Sequence, residues 1–189
     1  MKLLVHSCDG REWIREHWEE FFNRSKWDAD VLYIDGDEYF SDQLIRVLSE
    51  LEDEYVWHIL DDYFIKQNID WDYYWEMAQV LRVDALRMQP GVGFDSLPYR
   101  FRREGFLFRQ TNESEYQITM TSSIWRREFF LSCLSSGLNP WEQEVSKKIN
   151  GWPHEIYFVP DLPEWYVNGT LKGILTPAGR ALINEITGT

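Results

Sequence analysis

Two adjacent carboxylates are the first candidates for chemistry in this chain. Asp61 and Asp62 follow the apolar run YVWHIL of residues 55–60. Like charges side by side destabilise each other unless a cation lies between them. Mg²⁺ and Mn²⁺ prefer hard oxygen ligands and often bridge a carboxylate to substrate phosphates. The pair therefore predicts a site for a metal ion and a diphosphate, the alternative being a solvated acidic turn.

A second acidic cluster is NPWEQE, residues 139–144. Asn139 and Pro140 have the residue types preferred at the cap and first position of a helix. Glu142 and Glu144 then fall in its first turn, where the helix dipole favours negative charge. A carboxylate at the rim of a cleft can also act as a general base that deprotonates an acceptor hydroxyl. The sequence leaves both interpretations open.

A third candidate is YVNGTLKG, residues 166–173. Asn168 and Gly169 indicate a turn. Lys172 places a cation beside a glycine, where it could neutralise a departing diphosphate. The alternative is an ordinary hairpin with a solvent-facing lysine.

One stretch combines basic and aromatic residues, YRFRREGFLFR at residues 99–109. Arginines interleaved with aromatic rings suit phosphate contacts and base stacking. The protein as a whole has a net charge of −13 and a pI of about 4.7, which disfavours binding to nucleic acid. The stretch could also contact an acidic polysaccharide, or form an exposed hairpin that balances an acidic protein.

The composition adds one unusual feature, an aromatic content of 16% with ten Trp and ten Tyr. Flat rings suit a cleft that stacks sugars, although they also fill cores. The 189 residues are enough for one domain with a sizeable core. Cys8 and Cys133 lie far apart without metal-ligand spacing, and the first 13 residues lack the apolar core of a signal peptide. We expect a cytoplasmic protein without a membrane span.

The pattern along the chain predicts the elements that position these residues. Strands are expected at residues 2–7, 29–35 and 54–60, with intervening helices at residues 11–24 and 41–53. Ser41 is the expected cap of the second helix. Alternating strands and helices predict an α/β fold with a mostly parallel central sheet and helices on both faces.

The acidic residues cluster where these strands end. Asp9 follows the first strand, Asp35 and Asp37 follow the second, and the Asp61–Asp62 pair follows the third. Ligands of parallel α/β sheets bind beyond the carboxyl ends of the strands. The coincidence favours a binding site over three unrelated turns.

The second half continues with alternating elements. We expect helices at residues 68–83, 126–137 and 139–150, the second of them closed by Gly137. Short strands are expected at residues 84–90 and 154–160, with mixed turns and strands between residues 91 and 125.

Three stretches together resemble a known family: WHILDDYF (57–64), SSIWRREFFLSCLSSGLNPWEQE (122–144) and YVNGTLKG (166–173). They are similar to small bacterial and viral glycosyltransferase-like proteins with a GT-A, nucleotide-diphosphosugar transferase fold. The resemblance implies a single GT-A-like domain over residues 1–189. Residues 1–90 would form the nucleotide-binding half and residues 91–189 the acceptor and catalytic half.

The resemblance also implies roles for individual residues. The metal, Mn²⁺ or Mg²⁺, would be held by Asp61 and Asp62, and Glu142 or Glu144 would be the catalytic base. The donor, a UDP-sugar by analogy with the family, would contact Asp9, Asp35, Asp62 and Lys172. The chain departs from the family's Asp-x-Asp pattern because Tyr63 stands where the second carboxylate is usually found.

The leading hypothesis is a metal-dependent glycosyltransferase that uses a nucleotide-diphosphate sugar and a carbohydrate or other hydroxyl acceptor. One alternative is an enzyme that glycosylates hydroxymethylated bases in viral DNA, for which residues 99–109 would supply the basic surface. The other is a non-catalytic module that binds carbohydrate or protein through its aromatic residues.

Overall fold

The computed structural model describes most of the chain. The described residues are 1–7, 12–35, 39–89, 96–101, 105–146, 149, 151, 153–160, 162, 164–171 and 174–188. The predicted contacts of Asp9, Asp37 and Lys172 therefore lie outside the described residues.

The first half forms the predicted strand–helix alternation. Its elements are β1 (Lys2–His6), α1 (Glu12–Ser25), β2 (Asp30–Ile34), α2 (Phe40–Glu50) and β3 (Tyr55–Leu60). Strand β1 pairs in parallel with β2 on one side and with β3 on the other. Parallel pairing needs a crossover connection, and the two amphipathic helices supply it.

The remaining elements are shorter. They are β4 (Tyr63–Ile65), α3 (Trp71–Leu81), β5 (Ala85–Arg87), β6 (Ser96–Phe101), β7 (Gly105–Gln110), β8 (Ser123–Arg126), α4 (Arg127–Cys133), α5 (Pro140–Ser146), β9 (Ile156–Phe158), β10 (Tyr166–Asn168), β11 (Thr170–Leu171), β12 (Ile174–Leu175) and α6 (Pro177–Thr187).

One eight-stranded sheet organises the molecule in the order β2-β1-β3-β8-β5-β9-β7-β6. Strand β8 is antiparallel to both β3 and β5, and β7 is antiparallel to both β9 and β6. The other six strands share one direction, so the mostly parallel central sheet of the predicted α/β fold is confirmed.

Helices cover both faces of the sheet, as predicted. In β1, Leu3 and Val5 join the apolar cluster that contains residues of α1 and α3, with α6 packed against it. Leu4, between them, joins the cluster formed with α2 and α4. The alternation follows from the two-residue period of a strand.

Most of the tryptophans fill the core. Trp27 stacks on Trp71 with ring centroids 4.0 Å apart, and Trp57 packs edge-to-face 4.7 Å from Trp27. The buried tryptophans are Trp18, Trp27, Trp57, Trp71, Trp125 and Trp165. For these residues the aromatic content reflects core packing and not a sugar-binding face.

Two predicted helix ends were wrong. Tyr39, not Ser41, is the N-cap of α2. Ser41 lies inside the helix and its Oγ accepts a hydrogen bond of 2.9 Å from the Leu138 N–H. Helix α4 ends at Cys133 because Leu134 adopts an extended conformation, so Gly137 does not close it. In each case the tertiary structure, and not the capping preference of the residue, decides where the helix begins or ends.

A buried histidine faces α2 and α4. His58 of β3 has no exposed surface, and its ring lies 5.6 Å from Phe130 and 6.2 Å from His6. Neither ring nitrogen has a hydrogen-bond partner within the described part of the chain. Burial, with a smaller contribution from His6, lowers the pKa of His58 to about 3.

We predict that His58 makes the fold sensitive to acid. The unfolded chain protonates this imidazole below its ordinary pKa of 6.5, whereas the folded protein keeps it neutral down to about pH 3. The unfolded state therefore binds more protons in that window, and stability falls as pH falls. From pH 7 to pH 5 the loss amounts to about 2 kcal/mol.

Urea unfolding of His58→Leu at both pH values measures this effect. The variant should be at least as stable as the wild type at pH 7 and should lose about 2 kcal/mol less on acidification. The control is His17→Gln, which replaces a half-buried histidine of α1. It should keep the wild-type difference in stability between pH 7 and pH 5. An unchanged difference in His58→Leu would contradict the prediction.

Candidate functional site

The candidate site lies at the carboxyl edge of the parallel strands. Ser7 donates from its N–H to the Ile34 carbonyl at 2.9 Å, and Asp61 donates to the His6 carbonyl at 3.0 Å. These bonds tie the ends of β1, β2 and β3 together. Strand β8 begins at the same edge, with Ser123 in register with His58 and Arg87.

Asp61 is fully buried at this edge. The Ser7 hydroxyl donates to its Oδ2 atom at 2.5 Å. Because Ser7 directly follows β1, the parallel pairing of β1 with β3 brings the hydroxyl to the carboxylate. A charge-assisted hydrogen bond of this kind offsets part of the cost of burying the carboxylate.

Asp62 has different partners from its neighbour. Its side chain is half-buried, and its Oδ2 atom lies 3.5 Å from Thr170 Oγ1 of β11. Its carbonyl accepts a hydrogen bond of 2.6 Å from the Gly169 N–H. The two aspartates therefore contact opposite parts of the fold, Asp61 toward β1 and Asp62 toward β11.

Close glycine packing holds the segment that contacts Asp62. A Cβ atom on Gly169 would lie closer than 3.0 Å to the Phe64 ring, and one on Gly179 of α6 would lie closer than 3.0 Å to the Gly169 carbonyl oxygen. Gly169 also accepts a hydrogen bond of 2.9 Å from the Thr176 N–H. Segment 168–170 thus lies between β4 and α6.

The strand pairing of this segment differs from a simple hairpin. Strand β10 pairs with β4, with Asn168 opposite Tyr63, and β11 pairs separately with β12. The turn predicted at Asn168–Gly169 therefore connects two small sheets. It brings the closing motif of residues 166–171 directly against the aspartate pair.

Glu144 of α5 reaches the same edge. Its Oε1 atom accepts hydrogen bonds from the Met120 N–H at 2.6 Å and from Thr119 Oγ1 at 3.0 Å. These two residues precede β8, which lies beside β3. Glu144 is thereby held close to the residues that follow β3.

Glu142 is engaged elsewhere on the same helix. Its N–H donates to Asn139 Oδ1 at 2.9 Å, and its Oε2 atom accepts from the Asn139 N–H at 3.0 Å. This reciprocal pair is a capping box, so the predicted cap at Asn139 is confirmed. Side chains two residues apart on an α-helix point in directions that differ by about 200° around the helix axis. Glu142 consequently projects away from Glu144.

Two tyrosines that the sequence reasoning did not assign to the site line it. The rings of Tyr63 and Tyr166 pack edge-to-face with centroids 4.6 Å apart. The Tyr166 hydroxyl donates to Gln89 Oε1 at 2.8 Å, which links β10 to the end of β5. Burial, then Asp62, then Glu144 raise the pKa of Tyr63. The aromatic residue directly after two aspartates was the available signal.

A buried arginine was also missed. Arg87 ends β5 and is 1% exposed, and its guanidinium donates to the Tyr116 carbonyl at 3.2 Å. Burial lowers its pKa to about 9, although the negative charge of Glu144 opposes that shift. An arginine within an otherwise apolar strand was the sequence signal for this cation.

Asp35 lies at the same edge of the sheet but in its own ion pair. Its carboxylate accepts from the Arg15 guanidinium at 3.0 Å and is 59% exposed. Arg15 also stacks over the Tyr33 ring at 3.6 Å. Asp61 and Asp62 thus follow β3 and Glu144 is bonded to the residues before the neighbouring strand β8, whereas Asp35 lies next to α1.

Within the described ranges, no group of three or more His, Cys, Asp or Glu side chains is arranged to hold a metal ion. Two aspartates are nevertheless a sufficient protein contribution for Mg²⁺ or Mn²⁺, because these ions often take their other ligands from water and substrate phosphates. The metal site at Asp61 and Asp62 stays a prediction.

The basic stretch forms the hairpin of β6 and β7 at the edge of the sheet. Arg109 forms an ion pair with Glu155 and lies 3.5 Å from the His154 carbonyl. Arg102 and Arg103 lie outside the described residues. The charge of Arg109 is compensated within the protein itself. None of the described helices is both long enough and apolar enough to span a bilayer.

Fold and site define an α/β domain whose candidate site lies at the carboxyl edge of a mostly parallel sheet. The chain superposes on HddC from Yersinia pseudotuberculosis with a TM-score of 0.50 at 10% identity, over 97% of this chain and 78% of that one. The likeness shows a shared fold.

Two further solved structures give weaker superpositions. The 4-diphosphocytidyl-2C-methyl-D-erythritol synthase of Anaerococcus prevotii DSM 20548 gives a TM-score of 0.45 at 10% identity, over 100% of this chain and 96% of that one. The bifunctional IspDF of Campylobacter jejuni gives 0.44 at 10% identity, over 92% and 54%. No protein-family model matches the sequence, and neither does any curated protein.

We predict that Gly179→Ala destabilises the protein. Helix propensity alone would favour alanine by about 1 kcal/mol. The added Cβ would instead meet the Gly169 backbone, which cannot move without displacing the segment that contacts Asp62. We expect a net loss of about 1–3 kcal/mol in the free energy of unfolding.

Denaturant unfolding of Gly179→Ala beside Asn184→Ala tests this. Asn184 is exposed on the same helix, and its replacement should be neutral or slightly stabilising. A Gly179→Ala variant as stable as the wild type would mean that the close approach of α6 to Gly169 is absent in solution.

Proposed function

We propose that the protein is a nucleotide-binding transferase, and specifically a metal-dependent glycosyltransferase that moves a sugar from a nucleotide-diphosphate sugar to an acceptor hydroxyl. The observation that carries the proposal is the position of Asp62 just after β3, at the edge where Glu144 is bonded to the residues that precede the neighbouring strand β8. The shared fold with HddC and the three family-like stretches support it.

The two aspartates have different roles in binding the donor. Asp62 is half-buried and its Oδ2 atom lies 3.5 Å from Thr170 Oγ1, whereas Asp61 is fully enclosed and bonded to Ser7. We assign Asp62 as the direct ligand of Mn²⁺ or Mg²⁺ and Asp61 as its support at the end of β3. When bound, the metal offsets the negative charge of the diphosphate.

Glu144 is the proposed general base. Its carboxylate takes the proton of the acceptor hydroxyl, and the acceptor oxygen forms a bond to the anomeric carbon of the sugar. The bond between that carbon and the diphosphate breaks, and the nucleoside diphosphate leaves with the bonding electrons. The hydrogen bonds from Met120 and Thr119 hold the carboxylate in place for this transfer. The stereochemical consequence is inversion at the anomeric carbon.

The remaining assignments are part of the same proposal. Asp9 and Asp35 would contact the nucleoside, Lys172 would lie near the diphosphate, and UDP is the nucleotide suggested by the family resemblance. Residues 1–90 would contribute the nucleotide-binding half and residues 91–189 the acceptor and catalytic half. A DNA acceptor receives less support because Arg109, in the basic stretch, is paired with Glu155.

Binding of nucleoside diphosphate should require metal and Asp62. We expect UDP or GDP together with MnCl₂ to raise the Tm of the full chain by several degrees, which corresponds to about 2.7 kcal/mol at a ligand concentration one hundred times the Kd. Asp62→Asn should abolish this rise because it removes the anionic metal ligand.

Differential scanning fluorimetry with and without EDTA measures this dependence. Asp72→Asn is the matched control, since Asp72 is an exposed aspartate on α3. It should keep the wild-type response. If no nucleoside diphosphate shifts the wild-type Tm with or without metal, the transferase proposal is wrong and the non-catalytic module becomes the better interpretation.

Removal of the base should affect turnover rather than binding. We expect Glu144→Gln to lower kcat for sugar release from the nucleotide-diphosphate sugar by about 10²-fold or more. The glutamine amide oxygen can still accept from Met120, so the fold should persist. Glu142→Gln should retain activity because glutamine also completes a capping box.

Release of nucleoside diphosphate, followed by chromatography, provides the readout. Equal losses in the two variants, or a larger loss in Glu142→Gln, would contradict the assignment of Glu144. Consumption of a nucleoside triphosphate with release of pyrophosphate would instead indicate nucleotidyl transfer at the same edge.

A further inference from the structure

Tyr63 directly follows Asp62 and is held rigidly by its neighbours. It is the first residue of β4 and pairs with Asn168 of β10. Its ring packs edge-to-face against Tyr166 at 4.6 Å, and Tyr166 is itself fixed to Gln89 by a hydrogen bond of 2.8 Å. The phenol is therefore positioned by two strands and an aromatic neighbour.

The surroundings of the phenol define what it can do. Tyr63 directly follows Asp62, and Glu144 is bonded to the segment that precedes the neighbouring strand β8. The phenol of a tyrosine is protonated at neutral pH. It remains a hydrogen-bond donor.

Among the described residues, the Tyr63 hydroxyl has no hydrogen-bond acceptor, although the side chain is only partly exposed. The neighbouring Tyr166 hydroxyl is satisfied by Gln89. A rigid donor without an acceptor among the described residues is a group that a ligand can satisfy at little entropic cost.

We propose that the Tyr63 hydroxyl donates a hydrogen bond to the transferred sugar of the nucleotide-diphosphate sugar and so helps to select the donor. The inference rests on the proposed function. In that reaction the anomeric carbon lies between the diphosphate, on the Asp62 side, and the acceptor hydroxyl, on the Glu144 side. Because Tyr63 directly follows Asp62, its hydroxyl would meet the sugar ring rather than the nucleoside.

This role gives a reason for the departure from the Asp-x-Asp pattern. A second carboxylate at position 63 would add an anion beside Asp62 and Glu144. A phenol keeps the position neutral and offers a proton to the hydroxyl or ring oxygens of a sugar. Tyr63 is thus a specificity-determining residue that contacts the transferred group.

The test compares ligands with and without the sugar. Calorimetry with MnCl₂ would measure the Kd of UDP and UDP-glucose, and of GDP and GDP-mannose, for wild type and Tyr63→Phe. We expect an unchanged Kd for the nucleoside diphosphates and a roughly three- to tenfold weaker Kd for the matching sugar nucleotide, as loss of one neutral hydrogen bond implies. The Tm without ligand should not change.

A matched control and the kinetic split complete the experiment. Tyr73→Phe alters an exposed hydroxyl on α3 and should leave every Kd unchanged. In Tyr63→Phe, kcat/KM for the sugar nucleotide should fall at least as much as its affinity.

The outcomes separate the two proposals. If wild type binds none of the four ligands, the proposed function fails and this inference fails with it. If wild type binds and turns over a sugar nucleotide but Tyr63→Phe behaves like wild type, or weakens both members of a ligand pair equally, the inference alone is overturned.

Discussion

The antiparallel insertion of β8 between β3 and β5 is the constraint on which the site depends. The parallel group β2-β1-β3 and the parallel pair β5-β9 have no direct pairing with each other. Strand β8 joins them and begins at the edge where the others end. Because the residues before β8 hold Glu144, the pairing of one short strand fixes how far that carboxylate lies from the aspartates after β3.

A second constraint acts from the C-terminal side. The Asn168–Thr170 segment can approach Asp62 only because Gly169 and Gly179 lack side chains. The capped start of α6 presses on this segment, with Thr176 accepting from the Gly179 N–H at 2.9 Å. Helix α6 therefore supports the site without contributing a side chain to it. A substitution that alters the packing of α6 would displace the segment that contacts Asp62.

The features that could be predicted are those that depend on residues close together in the sequence. Apolar runs and helical periodicity located the first three strands and both intervening helices, and Asn139 with Pro140 marked the start of α5. The spacing Asn139-x-x-Glu142 even contains a capping box, which distinguishes Glu142 from Glu144. The divergence of Asp61 from Asp62 could not be predicted, because their partners Ser7 and Thr170 are distant in sequence.

Charge balance explains why such a site would need a cation to bind a diphosphate. Three carboxylates lie at this edge of the sheet, those of Asp61, Asp62 and Glu144. Among the described residues, the buried guanidinium of Arg87 is the cation near them. A diphosphate entering this field would be repelled. A divalent ion beside Asp62 would neutralise this local charge, and the phenol of Tyr63 adds a donor without adding charge. An anionic edge of this kind would admit a diphosphate only together with a metal ion.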